Sequence, residues 1–156
     1  MDPPLIANVR DLPWMTSAAM GDVCVFEDGG HRFAQLGYNL AVLQPGQRGA
    51  QYHRELDNQE DFLVLAGECV AIIEGQEHHL KRWDFVHCPP GVAHGFVATG
   101  QEPCILFMSG ARQGKRYVFV RDELALQHGI GVEVETSDQN EAYASLPEWQ
   151  PGTPAI

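Results

Sequence analysis

Four residues in the middle of the chain have the types and spacing to bind a metal ion: His53, Glu55, Glu60 and His94. Imidazole nitrogens combined with carboxylate oxygens suit divalent iron, manganese, nickel or zinc. His53 and Glu55 are two residues apart, so on an extended strand their side chains leave the same face, where both could reach one ion. Glu60 follows the polar segment Leu56-Asp57-Asn58-Gln59 and opens the next apolar run. A hairpin folding back at that segment would bring its carboxylate opposite His53. His94 comes from a distant strand, just after Pro89-Pro90-Gly91. The prolines stiffen the chain and the glycine permits a tight turn, so the imidazole is delivered in a fixed direction. Such rigidity suits a metal, whose nitrogen ligands sit at about 2.0–2.1 Å.

Any one of His53, Glu55 and Glu60, taken alone, is explained as part of a solvated acidic turn; their joint spacing with His94 is what points to a metal. Glu55 has three uses open to it: ligation, exposure to solvent, or pairing with Arg54 or Arg48. An inward-facing carboxylate requires a cation, because an unpaired buried charge is costly. Left free of the metal, Glu55 is the candidate catalytic base, able to take a proton from a bound substrate. His87 could line the same pocket as a proton donor or acceptor. His78 and His79 lie in a charged hairpin and read as surface residues, while His31, near Asp28-Gly29-Gly30, and His128, at a helix end, have structural explanations. Phe62, Phe85, Phe96 and Phe107 are most simply barrel filling, and Cys88 reads as core.

The elements that must position this group are strands. From about Asp22 to Met108 the chain is a series of short runs rich in Val, Ile, Leu, Phe and Tyr, punctuated by Gly, Pro, Asn and Asp. That rhythm predicts antiparallel strands in a sandwich or barrel, with alternate residues facing inward. The runs are DVCVF, FAQLGYNLAVL, DFLVLAG, CVAIIEG, QEHHLKRW, DFVHCP, HGFVAT and CILFMSG, and the segment Glu74-Gly75-Gln76-Glu77 is a hairpin turn. After Arg112 the character changes. RDELALQHG predicts a short helix stopped by Gly129, and a second begins at Ser137 or Asp138 and ends before Pro147.

The two ligand-bearing segments resemble the two cupin motifs, G-x5-H-x-H-x3,4-E-x6-G and G-x5-P-x-G-x2-H-x3-N. Here the first reads His53-x-Glu55-x4-Glu60-x6-Gly67 and the second Pro89-x-Gly91-x2-His94. Three positions depart from the pattern: Glu55 stands for the second His, Trp83 for the Gly before Asp84, and Ala98 for the Asn after the last His. An alternative register pairs Gln51 with His53 and lengthens the gap to Glu60 by two residues; the His53 and Glu55 register is preferred. The resemblance implies an all-β cupin fold, a double-stranded β-helix or jelly-roll barrel, over roughly residues 35–110, with its ligands pointing inward. Residues 1–112 are then the barrel with an N-terminal strand extension, and 113–156 an acidic C-terminal extension with short helices. It also implies a homodimer paired through edge strands, one of which the first 30 residues could supply.

Ten Lys plus Arg against 21 Asp plus Glu give a formal charge of −11. That balance repels nucleic-acid phosphates and anionic membrane surfaces, so neither is an expected partner. Seven acids and no Lys or Arg follow Arg121, which describes a solvated tail. No apolar run reaches the roughly 18 residues of a membrane span, and no secretory signal is evident, so a cytoplasmic location is expected. The cysteines Cys24, Cys69, Cys88 and Cys104 are scattered and read as buried free thiols.

Two imidazoles and a carboxylate with open positions suit a non-haem iron-type site. The leading expectation is a metal-dependent dioxygenase, using Fe or Mn on a small organic substrate that chelates through oxygens, as the resemblance to cupin dioxygenases implies. The alternatives are a sugar-type isomerase or epimerase with the metal as Lewis acid, and a barrel that binds a small molecule without turning it over.

Overall fold

The computed structural model describes residues 3–27 and 29–156. Asp28, near His31 in the sequence, lies outside the described residues. The strands are β1 (Trp14–Ser17), β2 (Gly21–Val25), β3 (Leu36–Leu43), β4 (His53–Glu55), β5 (Glu60–Ala66), β6 (Glu68–Ile73), β7 (Gln76–Lys81), β8 (Phe85–Cys88), β9 (His94–Thr99), β10 (Cys104–Ala111), β11 (Tyr117–Phe119) and β12 (Gln150–Pro151). The helices are α1 (Glu123–Gln127) and α2 (Gln139–Ala142). The strands form two antiparallel sheets, ordered β12-β1-β2-β3-β10-β5-β8 and β11-β4-β9-β6-β7. This is the expected jelly-roll arrangement, a mostly-β fold with only short helices. Among the described residues no helix is long and apolar enough to cross a membrane.

The alternation of the strands builds the space between the sheets. Glu60, Phe62 and Val64 face inward along β5, as do His94, Phe96 and Ala98 along β9. On β10, Met108 stands opposite Phe62 and Leu106 opposite Val64. On β3, Ala41 pairs with Leu106 and Leu43 with Cys104. These inward positions form one apolar core that includes Cys69, Ala71, Cys88 and Cys104. Gly67, between β5 and β6, has φ +69°, and a Cβ there would come within 2.2 Å of the Pro103 carbonyl oxygen. Only glycine fits that bend.

Strands β6 and β9 are buried on both faces, which explains why ECVAII and HGFVAT are nearly unbroken apolar runs. The outer face of their sheet carries Val70, Ile72 and Val97, and these pack against Ala125 and Ile130 of the C-terminal extension. Fully burying Ile130 contributes about 1.5–3 kcal/mol. The extension is therefore not the solvated tail its charge suggests. Most of its acids face water while Leu124, Ala125 and Ile130 among them seal the sheet. Asp122 caps α1, its carboxylate accepting from the Ala125 N–H at 2.8 Å, and Asp138 caps α2 through the Asn140 N–H at 2.8 Å.

Two sequence expectations are corrected. Phe85 does not fill the barrel: it pairs with the outward-facing Leu63 on the edge strand β8 and is 62% exposed. Phe107 also points out of the barrel, packing with Phe26 and stacking on Tyr38. Trp83, where the motif has glycine, sits at φ 77°, a left-handed conformation that costs a side-chain-bearing residue about 1–2 kcal/mol.

Candidate metal centre

His53 and His94 stand directly opposite each other across β4 and β9. Their ring centroids are 4.9 Å apart. The turn before His94 explains its placement. Val92 N–H donates to the Pro89 carbonyl at 3.2 Å, with Pro90 and Gly91 at the central positions and Gly91 at φ +90°, as a type II turn requires. Gly91 N–H also donates to the Glu55 carbonyl at 2.7 Å, tying this turn to β4.

Glu60 does not arrive by the expected hairpin. β4 and β5 belong to different sheets, and residues 56–59 carry the chain across the sandwich. Buried Asn58 holds that crossing: its side-chain oxygen accepts from Gln113 N–H at 2.8 Å, and its amide donates to the Gly114 carbonyl at 2.9 Å. Glu60 Oε2 then lies 2.9 Å from His94 Nε2 and 3.5 Å from His53 Nε2.

The Nδ1 of His53 is 2.8 Å from the Gln51 carbonyl oxygen and that of His94 is 3.0 Å from the Val92 carbonyl oxygen. A carbonyl only accepts, so each Nδ1 carries the hydrogen, and each Nε2 of the neutral ring turns a lone pair toward Glu60. Buried Glu60 Oε2 and His94 Nε2 have no hydrogen-bond partner in that form. Two conditions satisfy the group: protons on the imidazoles, or a cation among the three donors. Burial alone would raise the Glu60 carboxyl, but hydrogen bonding to the imidazoles and their charge outweigh it and hold it down to about 2. Burial opposes a proton on His53, yet Glu60 outweighs it and raises the imidazole above its ordinary value. The three donor atoms lie within 4.8 Å of one another. His53, Glu60 and His94 thus fit a divalent metal, with backbone carbonyls fixing both ligand rings from behind.

The cluster borders a cavity of about 240 Å³ walled by Phe62, Phe96, Met108, Tyr117, Phe119 and Tyr143, with Asn39, Glu55 and Gln139 as further polar lining. No lysine or arginine among the described residues lines it.

Residues 39–110 match the family described as Cupin domain. That stretch of the chain is a cupin domain. Among solved structures, a sugar phosphate isomerase of the cupin superfamily from Silicibacter pomeroyi is similar at 21% identity and TM-score 0.61, covering 78% of this chain and 88% of that one. A protein of Acidithiobacillus ferrooxidans provisionally named a sugar phosphate isomerase is similar at 23% identity and TM-score 0.55. The match covers 63% of this chain and 64% of that one, so just under two thirds of its length is spanned. A Klebsiella pneumoniae protein with a double-stranded β-helix domain gives 21% identity and TM-score 0.53, over 72% of this chain and 87% of the other. At these identities the likeness is one of fold. Comparison with curated proteins gives no match.

Of the four predicted ligands, the cupin domain brings three together and leaves Glu55 out of the group. Glu55 lines the cavity, with its carboxylate accepting from Asn58 at 3.2 Å. Burial first, and then the charge of Glu60, raise its pKa. Gln51 of the alternative register turns away: its amide donates to the Ala142 carbonyl at 3.1 Å and its oxygen accepts from Arg48 at 3.1 Å. His87 is outside the cavity, on the exposed side of β8, against Asp61. Cys88 is buried, its thiol pushed up to about 12 by burial and then by neighbouring acids. The sequence reading missed Asn58 and the walls Tyr117, Phe119, Gln139 and Tyr143. The last four lie beyond residue 110, where the only signal was aromatic residues in an otherwise acidic extension.

Proposed function

We propose that the protein is a metal-dependent dioxygenase acting on a small, uncharged organic molecule that chelates the metal through two oxygens. The observation that carries this is the pairing of a His53, Glu60 and His94 cluster with a cavity walled by aromatic rings, with no Lys or Arg among the described residues lining it. A phosphorylated sugar would bring two negative charges beside Glu55 with no Lys or Arg among the described wall residues to meet them, which argues against sugar phosphate isomerisation here.

His53, Glu60 and His94 would hold the ion. A bound redox metal would supply a Lewis acid for the chelating oxygens and a path for electrons between substrate and dioxygen. The remaining work falls to the chain. Glu55, held by Asn58, takes the hydroxyl proton as the substrate enters. The rings of Phe62, Phe96 and Phe119 exclude water and face a flat or apolar substrate. The reaction class is cleavage of a carbon–carbon bond at an oxygen-bearing carbon, with both atoms of dioxygen entering the product.

The test is oxygen uptake by Fe(II)- or Mn(II)-loaded protein across a panel of diphenols and β-diketones. Uptake that depends on metal and disappears in His94→Ala supports the proposal. No uptake with any of the panel, together with oxygen-independent turnover of a carbonyl sugar by zinc-loaded protein, would contradict it.

A further inference from the structure

Beside the metal cavity lies a second groove that shares part of its lining. Gly49, Ala50, Gln139 and Tyr143 line both spaces. The groove has a volume of about 450 Å³. Beyond the shared rim it is lined by the apolar Met20, just before β2, and Ala144, Leu146, Pro147 and Trp149 of the C-terminal extension, with the polar Asn140 and Glu148 beside them. Trp149 leaves 37% of its surface exposed there. Glu148 is the one charged residue among the described residues lining the groove. The junction is open at Gly49, where an added methyl group would meet no heavy atom within 4 Å. A small ligand confined to the inner cavity would leave the apolar residues of this mixed wall in water, whereas a longer one would bury them.

We infer, building on the reading of the inner cavity as the substrate site, that the substrate is a two-part molecule: an oxygen-chelating head beside the metal cluster and an uncharged, apolar extension running past Gly49 into the groove. The walls of that groove come largely from residues beyond the cupin domain, so the C-terminal extension selects the substrate while the barrel binds its reactive end. An anionic extension is disfavoured by Glu148 and by the lack of a basic partner among the described lining residues.

The test uses full-length Mn(II)-loaded protein under nitrogen, titrated by calorimetry with catechol and with 4-butylcatechol. The wild type is expected to bind 4-butylcatechol tighter by about tenfold or more, from burial of the butyl chain. Gly49→Phe, which narrows the junction, and Ala144→Trp, which fills the groove, are each expected to bring that ratio close to unity while keeping wild-type metal content. Ala144 is exposed and lines only the groove, so its variant keeps the test decisive should Gly49→Phe disturb the barrel. Catechol binding with no gain from the butyl chain, or a gain that survives both substitutions, overturns the two-part substrate alone. Binding of neither compound by metal-loaded wild type overturns the reading of the inner cavity and this inference with it.

Discussion

The two ends of the barrel interior are made by the same strands and differ in what their inward positions carry. At one end β5 and β9 present Glu60 and His94, and a cavity remains beside them. Four residues further along the same faces they present Val64 and Ala98, packed with Cys69, Cys104, Leu106 and Leu43. Phe62 and Phe96 lie between, with ring centroids 4.4 Å apart; they line the cavity on one side and belong to the dry core on the other. An extended strand serves either purpose, and side-chain chemistry decides which. Polar donors are tolerated at the wet end because a cation or protons can satisfy them, whereas at the dry end only volume matters.

Removing the partition should have the largest effect. Phe96→Ala is expected to cost about 3–5 kcal/mol, read as a fall in the denaturant midpoint. A cost below 1 kcal/mol would mean that Phe96 does not separate the two ends. Next comes overpacking of the dry end: Ala98, 1% exposed and opposite Cys69, should lose about 1–3 kcal/mol as Ala98→Val. The volume-conserving Met108→Leu, at the cavity wall, should cost less than about 1.5 kcal/mol in the same assay. Equal costs would erase the distinction.

The smallest effect lies outside the barrel interior, where Arg112 pairs with Glu27 at 2.5 Å. Hydrogen bonding to Arg112 lowers the Glu27 pKa from 4.5. The folded value is depressed, so the stabilisation is present above the unfolded value and is lost as pH falls through the folded one. Glu27→Gln should therefore lower stability by about 0–1 kcal/mol near neutrality and leave the melting temperature less sensitive to acid below about pH 4.5. A larger loss at pH 3 than at pH 7 would contradict that sign.

The dry end and the ligands were readable in the sequence for different reasons. The strand runs announce themselves through apolar and β-branched residues, and β5, β6, β9 and β10 fall where those runs predict. His53, Glu60 and His94 were legible because two separated motifs each fix a spacing. Glu60's route was not: a hairpin and a crossing between sheets use the same polar residues 56–59, and Asn58, which holds the crossing, takes its partners from residues 113 and 114. The outward turn of Phe85 and Phe107 is a matter of register, which single-strand composition does not carry. The C-terminal wall was hidden by its charge, since seven acids obscure the few apolar residues that dock it.

Metal analysis of protein purified without chelators tests the centre most directly. Wild type should carry about one equivalent of divalent metal per chain, His53→Ala and His94→Ala close to none, and Glu55→Gln a wild-type amount, because Glu55 is outside the ligand group. Alanine variants as metal-rich as wild type, or a wild type that takes up no metal when it is supplied, would contradict the account.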